Sequence, residues 1–276
     1  MEWKRLKTII IIMLLLVNGF LMVVVGTRLG EVRRYEQAAL DQAVRVLGGS
    51  GIEVNTAAIR EVSGPSALTV ERSIPQEREM AAVLLGAGVS GQNQSGGLYT
   101  YRSDSGTVSF RSGGQVYARL EDEARWHTDH PETLALELVK ELKLDCRMAG
   151  SRMENGSGRV VLRQFREDVP LFSCQLVFVF EEGRLISISG VLASEELRGE
   201  EREDVLTLPT AMLRFMEGVL NSGDVCSRVE SMEPGYRMTQ SFSNVLRLES
   251  VWLITTNAAD YYVNAVTGEV TRLTGE

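Results

Sequence analysis

The sequence has few of the residues from which metal centres and disulfide frameworks are built. Its 276 residues include two histidines and three cysteines, Cys146, Cys174 and Cys226. An odd count permits at most one disulfide and leaves a free thiol, and the cysteine spacing does not resemble a zinc site. The fold must therefore be held by apolar packing, and the pairing of the three thiols stays open.

Basic residues are scarce relative to acidic ones. Lys and Arg number 29 against 37 Asp and Glu, which gives a net charge of −8. This balance disfavours nucleic acids and acidic polymers as partners. The hydrophobic content of 44% excludes a wholly disordered chain, because this much apolar sequence can bury a core.

Catalytic motifs are also lacking, since the sequence has no G-x-S-x-G, H-E-x-x-H or P-loop. Residues 126–131, WHTDHP, place two imidazoles beside a carboxylate and could bind zinc, but the segment is better explained as a helix start capped by Thr128 or Asp129. Residues 86–91 match G-x-G-x-x-G, yet they follow a predicted helix and run into a loop, which indicates a flexible connection. We therefore expect no enzyme activity, cofactor or metal, and no small-molecule substrate is evident.

What the chain does have is one long apolar run. Residues 8–27 carry no charge, and fifteen of these twenty positions are Ile, Leu, Met, Val or Phe. Twenty helical residues match the thickness of a bilayer core, so the run predicts a single transmembrane helix rather than a cleaved signal. Lys4, Arg5 and Lys7 precede it, which places the N-terminus in the cytoplasm and the C-terminal domain outside the cell.

Asn18 and Gly19 interrupt this run near its middle. An amide in an apolar helix seeks a partner, and a small neighbour lets another helix come close. The pair therefore predicts a membrane-helix contact with a partner protein. The alternative is that Asn18 bonds its own backbone or a water.

The sequence beyond residue 27 predicts alternating helices and strands. A thin apolar stripe predicts a juxtamembrane helix at 29–47, which packs on its own domain or on a partner's helix. Helices are then predicted at 75–85, 131–142 and 208–220. Strands are predicted at 67–72, in a three-stranded meander at 97–120, and at 158–166, 171–180, 184–191, 225–232, 237–241, 245–255, 261–264 and 269–273.

The order of helix and meander, faintly repeated after residue 126, predicts an α+β fold. In this fold class, one N-terminal transmembrane helix is followed by exterior antiparallel-sheet modules, each covered by a helix. The predicted domains are a cytoplasmic tail at 1–7, the membrane helix at 8–27, a first exterior module at 28–125 and a second exterior region at 126–276. A charged connector, 194–205, divides the two helix-plus-meander units of that region.

Two segments carry a family resemblance. The opening MEWKRLKTI at 1–9 and LVNGFL at 16–21 resemble the start of YycI-type regulatory proteins of low-GC Gram-positive bacteria. The ending YYVNAVTGEV at 261–270 is similar to the closing strand–turn–strand of PepSY-like units. Residues 51–125 add nothing to the resemblance, so it leaves the identity of that module open.

The YycI resemblance implies regulation without catalysis. It implies a protein at the cell membrane that binds and modulates the sensor histidine kinase of the essential cell-wall two-component system, together with a YycH-type partner. The alternative is a PepSY-like exterior module that inhibits or escorts an envelope protease or another envelope enzyme. The resemblance leaves open the signal sensed, the sign of regulation and the stoichiometry.

Overall fold

A computed structural model describes residues 2–59, 64–86, 88–194, 196–201, 204–240 and 246–273. The helices are α1 (Glu2–Gly49), α2 (Ile74–Leu85), α3 (Glu123–Trp126), α4 (Pro131–Glu141) and α5 (Leu208–Ser222). The first strands are β1 (Glu53–Val54), β2 (Ala67–Val70), β3 (Ser90–Gln94), β4 (Leu98–Ser103), β5 (Gly106–Arg111), β6 (Gln115–Leu120), β7 (Cys146–Glu154) and β8 (Ser157–Arg166). The remaining strands are β9 (Val169–Glu181), β10 (Arg184–Val191), β11 (Leu197–Glu201), β12 (Arg228–Gln240), β13 (Leu246–Thr256), β14 (Asp260–Asn264) and β15 (Val270–Leu273).

The described elements repeat one arrangement three times. A helix is followed by four strands in α2–β3–β4–β5–β6, in α4–β7–β8–β9–β10 and in α5–β12–β13–β14–β15. Within each repeat the consecutive strands pair antiparallel. The faint two-fold repetition predicted after residue 126 is therefore part of a three-fold one.

The predicted fold class is wrong in its separate modules, because the strands form one mixed sheet. β6 pairs with β10, which joins the first two repeats edge to edge. The third repeat joins through β12, which runs parallel to β9 at Tyr236 and Leu171. Pairing meander edges in this way satisfies backbone groups that would otherwise be exposed at open edges.

The predicted fold class is also wrong in its N-terminal membrane helix. Residues 8–27 are helical, but they form the early part of α1, which runs on to Gly49. Within the residues that the structure describes, no helix combines the length and apolarity needed to cross a membrane.

Two cores lie between the helices and the sheet. In the first, α2 and α4 pack on one face of the β4–β10 strands through residues such as Leu84, Leu138 and Phe178. In the second, α5 packs on β12–β14, and Phe215, Trp252 and Tyr261 are fully buried. The helices therefore cover one face of each half of the sheet.

Most of the predicted elements are confirmed within a few residues, and the structure departs from the prediction in four places. Residues 146–154 form β7, which was not predicted, and residues 90–94 form β3 where a flexible connection was expected. The strands predicted at 225–232 and 237–241 are one strand, β12, that continues through Pro234 and Gly235; position 241 lies outside the described residues. Part of the predicted connector 194–205 forms β11, which pairs with β2; positions 195, 202 and 203 are outside the described ranges.

Gly235 permits the close approach of β12 to β9. A Cβ at this position would lie 2.7 Å from Cζ of Phe172 and 2.7 Å from the carbonyl oxygen of Pro170. Both distances are shorter than real Cβ atoms show to any neighbouring heavy atom. The contact with Pro170 is to a backbone atom, which cannot move aside as a flexible side chain can. The join between the second and third repeats therefore requires glycine here.

We predict that Gly235→Ala lowers the free energy of unfolding by about 1–3 kcal/mol, because overpacking forces a buried neighbour to move. Chemical denaturation measures this change. Gly150→Ala in β7 is the matched control, since a Cβ there meets nothing within 4 Å. Equal stability of the two variants would contradict the assigned role of Gly235.

Candidate functional site

The N-terminal half of α1 exposes large apolar side chains. Phe20 is 68% exposed and Met22 is 80% exposed. The same segment exposes Met13, Leu14, Leu15, Leu16 and Leu21. Contiguous exposed apolar surface marks an interaction site, so this segment, residues 13–22, is the candidate contact surface and is called the apolar segment below.

Asn18 and Gly19 lie side by side on the apolar segment, and both are exposed. The side-chain amide of Asn18 donates to the carbonyl oxygen of Leu14 at 2.9 Å. This is the alternative in which Asn18 bonds the backbone of its own helix. A Cβ at Gly19 would meet nothing within 4 Å, so the helix surface is open there. Their contact with a partner helix stays a prediction.

The other end of α1 is built into the protein core. Ala43 is 2% exposed and Leu47 is fully buried, and both belong to the core that contains Phe215 of α5. After Gly49 the chain enters β1, which pairs parallel to β12. One helix therefore connects the apolar segment to the sheet, and the alternative of packing on its own domain is observed for its C-terminal end.

Arg72 joins the two halves of the sheet at the start of α2. Its guanidinium binds the carboxylate of Glu77 with both arms, at 2.5 and 2.9 Å. It also donates to the carbonyl oxygens of Gly97, at 2.6 Å, and Phe110, at 3.2 Å. These four bonds use four of the five N–H groups of Arg72, so its side chain fixes α2 against β4 and β5.

A small cavity lies beside Arg72 where the sheet halves meet. Its volume is about 40 Å³, and its walls include Met80, Phe110, Leu192 and Leu246. Such a volume holds about three waters, since one water needs about 10–15 Å³ in this measure. Drug-sized ligands need far more room, so this cavity does not support a small-molecule site.

The two histidines lie around the start of α4. The backbone of His127 forms an isolated bridge with Arg184, while His130 occupies the N-cap of α4 without a capping side-chain bond. The hydroxyl oxygen of Thr128 accepts from the backbone N–H of His130 at 3.0 Å. Nowhere in the described ranges do three or more His, Cys, Asp or Glu side chains gather as a metal site would require.

The glycine-rich motif at 86–91 spans the end of α2 and the start of β3. Gly86 ends the helix with a positive φ, and β3 begins at Ser90; position 87 is not among the described residues. The motif therefore follows a helix and leads into a strand, whereas a dinucleotide site requires the opposite order.

All three cysteines are free. Burial raises the pKa of the Cys174 thiol to about 12, and burial together with nearby Asp145 raises the pKa of the Cys146 thiol to about 12. Cys226 is half-buried. Only thiolates react rapidly with alkylating agents, so the first two thiols are protected.

Sequence reasoning missed the pairing of Arg72 with Glu77. The residues are five apart across the strand-to-helix turn, a spacing that carries no helical or strand signal of its own. A carboxylate in the first turn of a predicted helix, after an arginine that ends a strand, is the one local hint.

No protein-family profile matches the sequence, and a search of curated proteins found no relative. Among solved structures, an uncharacterized protein from Eubacterium rectale is similar with a TM-score of 0.49 and 12% identity, over 81% of this chain and 91% of that one. The C-terminal domain of Bacillus megaterium YpeB is similar with a TM-score of 0.39 and 14% identity, over 75% of this chain and all of that one. Both scores lie below 0.5, so these likenesses carry no argument about function.

We predict that iodoacetamide at pH 8 modifies Cys226 first in the folded protein. A thiol whose pKa is about 12 instead of 9.0 holds about a thousandfold less thiolate at this pH, which slows Cys146 and Cys174. Mass spectrometry of timed samples measures the order of modification, with the chain in guanidinium chloride as the control in which all three react. Rapid modification of Cys146 in the folded protein would contradict the assignment.

Proposed function

We propose that this chain is a non-catalytic regulatory protein of the cell envelope that binds and modulates the sensor histidine kinase controlling cell-wall metabolism. A YycH-type protein is the proposed second partner, and the part of the chain after α1 is proposed to lie outside the cytoplasm. The resemblance of residues 1–21 to YycI-type proteins supports this choice of partners.

The observation that carries the proposal is the build of α1. Its apolar segment has no cover within the described chain, while Ala43 and Leu47 at the other end lie in the core of the third repeat. A partner helix bound to the apolar segment would be linked by continuous helix to the sheet. Regulation requires this kind of link, because an event at one site must bias the state of another.

A contact along the apolar segment has enough energy to regulate a kinase. Helix contacts worth about 1–3 kcal/mol shift a two-state equilibrium by about 5- to 150-fold. Such a shift needs neither a catalytic group nor a bound cofactor on the regulator. The proposal therefore requires only a helix contact of this energy on α1.

A second candidate is the PepSY-like module that inhibits or escorts an envelope enzyme. The closing turn favours it, because the side-chain oxygen of Asn264 accepts from the backbone N–H of Val266 at 2.9 Å and of Thr267 at 3.0 Å. Gly268 then completes the turn with a positive φ. This is the V-N-A-x-T-G-E turn on which the PepSY resemblance rests.

We predict that Gly19→Leu lowers co-purification of the kinase about 5- to 30-fold, because a bulky side chain holds a partner helix away from α1. Asn18→Leu is also expected to lower co-purification of the kinase, since the substitution removes the polar group that a partner could bind. Affinity purification of the tagged full chain co-expressed with the kinase, together with kinase autophosphorylation, measures both effects.

Gly48→Leu is the matched control, because Gly48 is also in α1 and a Cβ there likewise meets nothing within 4 Å. Retained binding and unchanged kinase output in Gly19→Leu would contradict the proposal. Full regulation by a chain in which an unrelated helix replaces residues 8–27 would favour the PepSY-like candidate instead.

A further inference from the structure

Two pairs of arginines face each other across strands β7 and β8. Arg152 lies directly opposite Arg159, and Arg147 lies directly opposite Arg163. Directly opposed residues of an antiparallel pair share one face of the sheet, with Cβ atoms about 4.5–5.5 Å apart. Like charges in this position destabilise the sheet, so the arrangement needs a compensating reason.

One of these pairs is compensated within the chain, and the other is not. Arg147 binds Asp168 and lies 3.7 Å from a carboxylate oxygen of Asp145, while the guanidinium of Arg163 lies over the ring of Phe172. Arg152 and Arg159 are both exposed, and neither has a carboxylate partner among the residues that the structure describes. Two unneutralised charges therefore meet on this pair of strands.

The same line of residues continues across the sheet with two more arginines. Arg159 is opposite Val179, Val179 is opposite Ser187, and Ser187 is opposite Arg119. Beyond Arg119 the line continues through Thr107 to Arg102. We call Arg152, Arg159, Arg119 and Arg102 the arginine row; at about 4.8 Å per strand, its six strand spacings extend over about 29 Å.

The arginine row lies on the open face of the sheet. On the same strands, Val160 and Ala118 point to the other face, into the core on which α2 and α4 pack. The line contains no acidic residue, and its single ion pair with the described part of the chain is between exposed Arg119 and exposed Glu121 at 3.5 Å. Glu154 and Glu181 lie on the same face, each two residues along its strand from a member of this line, so the positive charge is confined to the row itself.

The neighbouring line of residues on β6, β10, β9 and β8 is uncharged, and three of its four members are apolar or aromatic. Tyr117, which is 53% exposed, is followed across the strands by Ser189, Val177 and Val161. Tyrosine and arginine are both enriched at protein interfaces. A purely anionic polymer, in contrast, has no apolar side chains to pack against this line. A basic line beside an apolar line therefore fits an extended polypeptide that carries both acidic and apolar side chains.

We propose that the arginine row and the adjacent Tyr117–Val177–Val161 line form a docking surface for an acidic segment of a partner protein. Carboxylates of that segment bind Arg152 and Arg159 and relieve their repulsion, since arginine can hold a carboxylate with two parallel hydrogen bonds. The surface is separate from the apolar segment of α1. It rests on the proposed function only in that the bound molecule is a protein.

The direct test measures binding of a fluorescent decapeptide of alternating Glu and Val to the full chain by anisotropy. The expected result is that Arg152→Gln combined with Arg159→Gln weakens binding at least tenfold and reduces its salt dependence. Arg45→Gln combined with Arg78→Gln is the matched control, because both are exposed arginines away from this face and remove the same charge. Equal loss in the two double variants, or no loss in the first, overturns the proposal.

Two further measurements make the outcome specific. Long-chain polyphosphate and a DNA duplex serve as competing probes, and tighter binding of either one than of the peptide overturns the choice of a polypeptide.

Arg152→Gln alone should raise the Tm of the unliganded chain by about 1–3 °C, because it removes a like-charge pair. A lower Tm would mean that Arg152 has a structural role, which also overturns the proposal.

The two proposals fail separately. Loss of peptide binding in the arginine variant with unchanged kinase binding in Gly19→Leu would retain the docking surface and remove the α1 contact. The opposite result would retain the α1 contact and remove the docking surface.

Discussion

Backbone pairing along β9 is the interaction on which the rest of the structure depends. This thirteen-residue strand pairs with β8 and β10 on its two sides and meets β12 where Leu171 is opposite Tyr236. Three helix-plus-meander repeats, each too small to bury both faces of its own sheet, are thereby joined into one. Gly235 lets β12 approach Phe172 at that join, while Arg72 with Glu77 fixes α2 against β4 and β5 in the first repeat.

The shared sheet gives the protein two kinds of surface from one framework. In the first two repeats the helices cover one face and enclose the core, and the opposite face carries polar and charged side chains along several neighbouring strands. In the third repeat the opposite face holds a small apolar cluster of Phe172, Val251 and Tyr262. α1 adds an apolar surface that extends from the core of the third repeat. Both proposed contacts therefore rest on elements whose positions are fixed by burial elsewhere, as precise recognition requires.

The sequence predicts the elements of this fold better than their assembly. Strong alternation in β8, β9 and β10 makes those strands predictable, and Pro131 and Pro209 mark the starts of α4 and α5. β7 was missed because its exposed residues, such as Arg147 and Arg152, do not alternate with apolar ones. Two strands were predicted at 225–232 and 237–241, yet β12 continues through Pro234 and Gly235, where the close approach of β9 requires a residue without a side chain.

The two candidate surfaces also differ in how far the sequence predicts them. Asn18 and Gly19 are visible in the sequence because they interrupt a uniform apolar run. The arginine row is not, because its members are brought into line by the register of seven strands and by the long-range pairing of β6 with β10. The net charge of −8 is a sum over the whole chain, so it carries no information on whether basic residues line up locally.

The most direct test of the central claim, that α1 contacts a signalling partner, is photocrosslinking from position 20 in living cells. A photoreactive amino acid replaces Phe20, and the same residue placed at Tyr35, which is 77% exposed but outside the apolar segment, is the control. We expect position 20, and not position 35, to give crosslinks to the sensor kinase or the YycH-type protein, identified by mass spectrometry. Absence of any protein crosslink from position 20, with the chain present at its normal level, would contradict the account.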